Sequence, residues 1–527
     1  MKKNYLIILF LMLCINASAQ TEKLGYHEIK TDEQGNILPW YSNEPGKAWS
    51  HVIQLVWNFW DAMRIDLNGL PYYMNHPVWK PEIDDPRGIG GDQFSMALSS
   101  WRLLYAYNGD ERIVENMKFI ADYYLSHGFS ASNIEWANVP YPYNTLVYSG
   151  RYDGDMVLGK NYLQPDKAGS FGIELLNLYE MVVDKGWPTH NVTDEIYLSA
   201  AIKIANTLAR HTKVGDENNS PMPFKVNALT GEIGTLRNNN WSGEITGISS
   251  YTSNWSSTLE LFLELQKLNL GETGLYKQAF SKIINWMKKY PLHNNKWGPF
   301  FEDIPGWSDT QINAITFAQF MMNHPDYFPN WKTKVRKIFD WVYEKFGNDK
   351  WKNYGVTVVN EQTIYHQPGN SHTSREASAE LQYMALTADR FHYDNAIRQL
   401  NWATYMVDSD GKNKYPDDGI WLTDGYGDYV RHFLRAMAAM PQLAPSDEDH
   451  LLKSSSIVQD INYGHVIDYQ VYGINGIEIF HLKQKPLNVL FNDRAEANGE
   501  SFTWDALKKG GILTIKRTQT AKITIVK

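Results

Sequence analysis

Apolar residues recur at intervals of three and four along most of the chain, from about residue 48 to residue 440. Residues at this spacing share one face of a helix, so the pattern predicts a succession of amphipathic helices. We expect twelve of them, at 48–65, 92–108, 111–127, 167–185, 193–212, 255–269, 274–290, 309–323, 330–346, 373–390, 393–407 and 424–440. No strand-like alternation of similar length interrupts the series, which predicts a mainly α domain.

The segments that connect these helices alternate between short and long. Short turns, such as 108–110 and 270–272, join consecutive helices into helical hairpins. Long segments occupy the alternate connections, at 66–91, 128–166, 213–254, 291–308, 347–372 and 408–423. This alternation places all the long loops at one end of the structure. Five hairpins together with the first and last helices make six pairs, which is enough to close a ring.

The two sets of helices also differ in composition. Helices that follow the long loops contain small and apolar stretches, for example 168–172 and 314–318, as expected of helices buried on most sides. The other set carries charged faces, and Lys277, Lys282 and Lys288 lie in one of its helices. An inner ring of crowded helices inside an outer ring of amphipathic ones is an (α/α)6 toroid, which is the architecture we predict.

The pattern changes after Pro441 and Pro445. Short runs broken by Gly, Asn and Asp predict strands at 455–463, 466–472, 477–482, 487–491, 501–504, 511–516 and 521–526. We therefore expect a small antiparallel β domain after the toroid. The predicted domains are a signal peptide at 1–19, an N-terminal arm at 20–47, the toroid at 48–445 and the β domain at 446–527.

The first residues predict export. Lys2 and Lys3 precede an apolar run over 5–15, and the small residues 17–19 follow as a cleavage pattern. The run is shorter than the ~20 apolar residues that span a bilayer, so we expect no membrane span. Its Cys14 is the only cysteine of the chain. The mature protein is therefore expected to be periplasmic or secreted and to contain no disulfide.

Composition narrows the range of partners. The formal net charge of −9 argues against binding to nucleic acid. The chain is rich in aromatic residues, with 19 Trp and 32 Tyr, and several of them, including Trp307 and Trp421, fall in polar loops. Flat amphipathic rings at a wet surface suit stacking on sugar faces, although such residues also anchor loops. A carbohydrate is the partner that this composition favours.

The predicted topology directs six helix N-termini toward one rim, where their free N–H groups favour anionic groups. Asp92, Asp309 and Asp424 lie at these helix entrances, and capping is the alternative role of each. Glycoside hydrolysis requires a carboxylic acid to protonate the leaving oxygen and a carboxylate to activate water or attack carbon. Asp424, in a cluster of acidic, glycine and aromatic residues, is our first catalytic candidate, and Asp92 is the second.

An alternative chemistry is β-elimination on a uronic acid, which requires neutralisation of the carboxylate and a base that removes a proton. His372 is the candidate base, and its alternative is a structural role. The candidate substrate-binding residues are Tyr251, Trp307, Asp309, Tyr365, His366, Arg375, Trp421, Asp428 and Tyr429. His366 and His372 lack an evident third ligand, so we expect no metal. Phosphate-binding and dinucleotide-binding motifs are also missing, so we expect no cofactor.

The helical pattern, with the segments 371–376 and 423–428, resembles the six-hairpin carbohydrate-active enzymes. The resemblance implies cleavage of glycosidic bonds in a cleft at the N-termini of the inner helices. It implies a glycoside hydrolase first and a polysaccharide lyase as the alternative. Toroids also host sugar epimerases and isomerases, and a glycan-binding protein without activity is a further possibility. The export signal is similar to that of periplasmic glycan-degrading enzymes of Gram-negative bacteria.

Overall fold

The structure, a computed structural model, describes residues 22–62, 91–146, 149–183, 195–237, 245–300, 307–416, 428–497, 499–519 and 521–527. The predicted signal peptide at 1–19 lies outside these ranges. No helix within them is both long enough and apolar enough to cross a bilayer.

The described ranges contain twelve helices of at least twelve residues, as the periodicity predicts. They are α1 (Pro45–Ala62), α2 (Gly91–Asn108), α3 (Glu111–His127), α4 (Pro165–Val182), α5 (Glu195–His211), α6 (Ser256–Lys267), α7 (Thr273–Lys289), α8 (Gln311–Asn323), α9 (Trp331–Phe346), α10 (Asn370–Thr387), α11 (Tyr393–Thr404) and α12 (Asp428–Ala439). The mainly α class is confirmed.

Local signals explain several helix ends. Asp110 precedes α3 and accepts a hydrogen bond from the backbone N–H of Arg112, which satisfies one of the free donors of the first turn. At the start of α8, the side chain of Thr310 accepts a hydrogen bond from the backbone N–H of Asn313. Pro165 opens α4, where its missing N–H costs nothing.

The helices form two layers. Helices α2, α4, α6, α8, α10 and α12 contact one another in this order, and α12 contacts α2, so these six described helices form a closed ring. Each of the first five also packs against the helix that follows it in the chain, and α12 packs against α1. Helices α4 and α6 approach so closely that Thr258 leaves no room for a side chain at Gly169.

The C-terminal region is rich in sheet. Its strands are β1 (His450–Ser454), β2 (Val458–Tyr463), β3 (Val466–Val471), β4 (Gly476–Leu482), β5 (Asn488–Phe491), β6 (Arg494–Ala495), β7 (Phe502–Ala506), β8 (Gly511–Arg517) and β9 (Ile523–Val526). One antiparallel sheet has the order β1-β4-β8-β7 and the other has the order β2-β3-β9-β5-β6. The sequence did not predict β1, and β2 begins three residues later than predicted.

The β domain packs on the C-terminal ends of the inner helices, where the last carbonyls lack helical partners. The hydroxyl of Tyr463 donates to the carbonyl of Ala106 at 2.6 Å. The amide of Gln459 donates to the carbonyl of Glu180 at 3.1 Å. The β domain therefore satisfies helix ends and leaves the opposite rim to the long loops.

The N-terminal arm folds into two small hairpins, with strands Lys23–Leu24 and His27–Glu28 in the first and Lys30–Thr31 and Ile37–Leu38 in the second. It is held by Tyr405, directly after α11. The backbone N–H of Tyr26 donates to the carbonyl of Tyr405 at 3.0 Å. The hydroxyl of Tyr405 donates to the carbonyl of Leu38 at 2.7 Å.

Candidate functional site

The N-terminal ends of the inner helices meet at one rim. Asn254, before α6, donates through its amide to the carboxylate of Asp166 in α4 at 2.9 Å. Arg431 in α12 donates to the hydroxyl of Ser99 in α2 at 2.8 Å. The first contact joins the entrances of α4 and α6, and the second joins the first turn of α12 to the middle of α2, so residues distant in sequence are presented to one region.

A buried cluster of charged residues lies where α10 and α12 begin; we call it the Asp428 cluster. The Asp428 carboxylate contacts the guanidinium groups of Arg375 and Arg431, and it accepts a hydrogen bond from Ser371. The Nε2 atom of His432 lies 3.5 Å from it. Burial alone would raise the pKa of Asp428, but the two arginines hold it well below its usual range. The carboxylate is therefore ionised and positions both arginines.

His372 lies one helical turn before Arg375 on α10 and is only 4% exposed. Burial, and next the positive charge of Arg375, lower the pKa of His372 to about 3. Its ring centroid is 6.5 Å from that of Tyr415. Tyr415 and Asp428 flank residues 417–427, which are outside the described ranges. The cluster therefore combines a neutral imidazole with two guanidinium groups.

A second polar group occupies the entrances of α4 and α6. The ammonium group of Lys167 lies 2.9 Å from the Asp166 carboxylate and donates to the carbonyl of Phe300 at 2.8 Å. It also lies 3.5 Å from the centroid of the Phe300 ring. Because Asp166 and Lys167 neutralise each other, this group adds no net charge to the rim.

An aromatic surface lies beside the entrance of α8. Trp307 is 42% exposed, and its indole N–H donates to the Asp309 carboxylate at 3.0 Å. The Tyr251 ring packs on Trp307 with centroids 5.0 Å apart, and the Lys296 ammonium lies 4.7 Å from the Trp307 centroid. An exposed indole held in place in this way suits stacking against a sugar ring.

Tyr251 and Tyr429, two predicted binding residues, are held inside the protein. The Tyr251 hydroxyl donates to the carbonyl of Lys296 at 2.5 Å, and burial and Asp309 raise the pKa of this phenol. Tyr429 is fully buried and packs edge-on against Phe433, with centroids 5.5 Å apart. Burial raises its pKa well above the usual value. Neither phenol is placed to act as a base on a sugar.

The remaining predicted residues occupy the loops. Tyr365 is half-buried and His366 exposed in the segment before α10. The structure describes only the backbone of Asp92, in the first turn of α2. Asp424 and Trp421 lie outside the described residues. Their predicted catalytic and binding roles stay predictions.

Sequence reasoning missed His432, Tyr415, Arg102 and Arg435. For two of them a signal exists: Arg431, His432 and Arg435 follow Asp428 by three, four and seven residues, which places all of them on one helical face. Nothing in the sequence indicates that Tyr415 or Arg102 approaches this region.

A cavity of about 860 Å³ runs along the axis of the inner ring. Residues from all six inner helices line it, including Arg102, Glu174, Glu260, Thr316, Arg375 and Arg435. At one end lie the buried side chains of Lys167 and Arg375, and at the other lie the exposed residues Lys267 and Ile474. Among the described residues, no group of three or more His, Cys, Asp or Glu is arranged to hold a metal ion.

Comparisons with known proteins identify relatives in structure only. No family model matches the sequence, and no curated protein matches it. A cellobiose 2-epimerase from Spirochaeta thermophila DSM 6192 aligns with a TM-score of 0.56 at 11% identity, over 76% of this chain and 97% of that chain. A sugar epimerase from a ruminal bacterium aligns with a TM-score of 0.53 at 14% identity, over 74% of this chain and 98% of that chain. A D-mannose isomerase aligns with a TM-score of 0.52 at 12% identity, over 76% of this chain and 98% of that chain. At such low identity, the likeness shows a shared fold of the helical region.

Proposed function

We propose that this protein is a carbohydrate-active enzyme with an (α/α)6 toroid, and that its reaction begins when His372 removes a proton from a sugar carbon. The carbon would carry a carbonyl or a carboxylate group, because only such a neighbour makes a C–H bond acidic enough. The observation that carries the proposal is the Asp428 cluster, in which a neutral imidazole lies one helical turn from a buried guanidinium.

The chemistry follows from these groups. His372 accepts the proton, and the electron pair of the C–H bond moves toward the carbonyl or carboxylate oxygen. Arg375 and Arg431 would stabilise the negative charge that develops there. Return of the proton to the opposite face gives an epimer, and its return to the neighbouring carbon gives an isomer. Expulsion of an oxygen substituent from the next carbon instead gives an elimination product, as in the predicted lyase.

Three described carboxylates of the rim favour this reading over hydrolysis. Asp428 is held ionised by two arginines, Asp166 is paired with Lys167, and Asp309 accepts hydrogen bonds from three N–H groups. None of these three is placed as the proton donor that a hydrolase requires. The names of three of the structural neighbours, two epimerases and an isomerase, agree with proton transfer on a sugar.

Hydrolysis by paired carboxylates is the second candidate. Asp424 precedes α12 in the sequence, and the contact between Arg431 and Ser99 shows that α12 lies beside α2, the helix that contains Asp92. This arrangement favours the predicted pair. If hydrolysis is the reaction, Asp424→Asn will abolish turnover and water will be added across a glycosidic bond.

Substitution of His372 tests the first proposal. We expect His372→Asn to lower turnover by about 100-fold or more, since a positioned base contributes about 10²–10⁴-fold. His465→Asn, in an exposed turn of the β domain, is the matched control and should retain full turnover. The products should be identified by mass spectrometry after incubation with neutral and acidic sugars. Full activity of the His372 variant would rule out this base.

We also propose that the protein acts in the periplasm or outside the cell. The support is the sequence of residues 1–19, with two lysines, an apolar run and a small-residue cleavage pattern. N-terminal sequencing of protein recovered from the periplasm or medium of an expressing bacterium should begin near Gln20.

A further inference from the structure

The axial cavity carries an excess of positive charge at the level of the Asp428 cluster. Four arginines line it: Arg102, Arg375, Arg431 and Arg435. Glu174 lies 3.3 Å from Arg102, and Asp428 contacts Arg375 and Arg431. Four guanidinium groups therefore face two carboxylates. Arg435 forms no hydrogen bond or ion pair with any described residue, although it lies one turn from Arg431.

The carboxylates near the opposite end of the cavity do not compensate for this excess. Glu260 lies 2.8 Å from His324, and Glu264 lies 2.9 Å from Lys267. Burial, and next the charge of Glu264, raise the pKa of Glu180 to about 7, so a part of this group is protonated at neutral pH. Among the described residues, Glu174 and Asp428 are therefore the carboxylates that form ion pairs with the four arginines.

Unused hydrogen-bond donors point to the missing partner. Arg375 is 1% exposed, and its Nε and Nη1 atoms have no hydrogen-bond partner among the described residues. The Nε atom of Arg431 also has no hydrogen-bond partner among the described residues. A buried guanidinium group with unpaired N–H groups is costly, and a carboxylate can accept two of them side by side.

The rest of the wall suits a sugar. Amide and hydroxyl groups of Ser170, Asn177, Gln319 and Gln382 line the cavity together with the ring of Phe320. Its volume of about 860 Å³ falls within the range of about 300–1,000 Å³ that is usual for small-ligand sites.

We infer that the axial cavity binds the carboxylate group of an acidic sugar, a uronic acid or a short oligosaccharide that contains one; the inference rests on the proposed action on sugars. Arg375, Arg431 and Arg435 bind the carboxylate, and Asp428 positions Arg375 and Arg431. An anion on Arg375 also offsets one of the two causes that make His372 a weak base. The cavity is lined by Arg375 but not by His372, so the sugar carboxylate affects His372 through the charge of Arg375.

Calorimetric titration of the full chain with D-glucuronate, D-glucose and inorganic phosphate tests this inference. We expect glucuronate to bind more tightly than glucose by about 10- to 100-fold, the worth of a charge-assisted hydrogen bond. Arg435→Gln should lose most of this preference. Because Arg435 has no partner to leave behind, this variant should melt at the same temperature as the wild type or higher.

Arg210→Gln is the matched control, because Arg210 is an exposed arginine paired with Glu272 on the outer surface. Its glucuronate affinity should stay within about twofold of the wild type, as expected for a distant exposed pair. Equal binding of glucuronate and glucose would overturn the inference, as would unchanged affinity in the Arg435 variant. Binding of phosphate but not of glucuronate would overturn the assignment to a sugar carboxylate.

The same titration on His372→Asn separates this inference from the proposed reaction. We expect the variant to bind glucuronate with affinity within about threefold of the wild type, since an imidazole without charge adds little to anion binding. If His372→Asn keeps full turnover, the proposed reaction fails while selective glucuronate binding would still stand. If the proposed reaction is confirmed on a neutral sugar and glucuronate does not bind, the inference about the cavity is wrong and the proposed reaction still stands.

Discussion

Asp428 shows how one buried residue can hold a site together. It is 1% exposed and is the counter-ion of both Arg375 and Arg431. Loss of one partner from a buried ion pair costs about 3–5 kcal/mol, because the other charge stays buried without compensation. We therefore expect Asp428→Asn to lower the free energy of unfolding by that amount in urea denaturation.

The control for Asp428 is Glu272→Gln, which breaks an ion pair exposed at both ends and should cost less than about 1 kcal/mol. Equal effects of the two substitutions would mean that the Asp428 cluster does not carry buried charge.

The low pKa of His372 predicts an unusual pH profile. An ordinary histidine base would give kcat/KM an inflection near pH 6.5. Because the pKa of His372 is lowered to about 3 in the free protein, the imidazole is already neutral at pH 5. The pH dependence of kcat/KM reports the pKa values of the free enzyme. We therefore expect that protonation of His372 will not lower kcat/KM between pH 8 and pH 5. A decline with a midpoint near pH 6.5 that disappears in His372→Asn would contradict this assignment.

At the scale of elements, α10 carries a second buried group on its outer side. The carboxyl groups of Glu376 and Glu380 lie 3.2 and 3.3 Å from the hydroxyl of Tyr343 in α9. Burial raises the pKa of Glu376 to about 7. Burial and the charge of Glu376 raise the pKa of Glu380 well above its usual value. The pair is therefore most stable when protonated.

This raised pKa makes the stability of the fold depend on pH. The pKa of Glu376 is higher in the folded protein than its value of 4.5 in the unfolded chain. The protonated group therefore stabilises the fold fully below pH 4.5, and this stabilisation is lost as the pH rises through about 7. Glu376→Gln removes one of the two titrating groups and the charge that helps to raise the pKa of Glu380, so it should gain about 1–3 kcal/mol over the wild type between pH 5 and pH 8. Urea denaturation at both pH values measures this difference. Glu344→Gln, on an exposed side chain of α9, should show no such gain, and parallel curves for wild type and Glu376→Gln would contradict the account.

The limits of the sequence are also clearest at the scale of elements. Periodicity was sufficient to locate all twelve helices, because each has an apolar face extending over several turns. It missed β1 because this strand is short, lacks alternation and is defined by pairing with β4. The i, i+3 and i, i+4 spacing of Asp428, Arg431 and His432 is readable from one helix. The contact of Asp428 with Arg375 spans 53 residues and depends on the packing of α10 against α12, which no local pattern encodes.

At the scale of the whole molecule, the β domain and the helical ring share an interface of hydrogen bonds. The Tyr463 hydroxyl donates to the carbonyl of Ala106 in α2 and accepts from the backbone N–H of Leu451 in β1. We expect Tyr463→Phe to cost about 1 kcal/mol, since it leaves both groups unpaired at a half-buried position. Scanning calorimetry should show one transition that shifts as a whole. Tyr327→Phe, at a half-exposed position, is the control, and a separate transition for the β domain would contradict the shared interface.

The central claim is that the protein breaks a C–H bond of a sugar, and incubation in D2O tests it most directly. Neutral and acidic sugars would be treated with the wild type and with His372→Asn, and the products examined by mass spectrometry and NMR. The account predicts a product with deuterium bound to carbon, or an unsaturated sugar, for the wild type and neither for the variant. Products formed only by addition of water to a glycosidic bond, with no carbon-bound deuterium and no double bond, would contradict it.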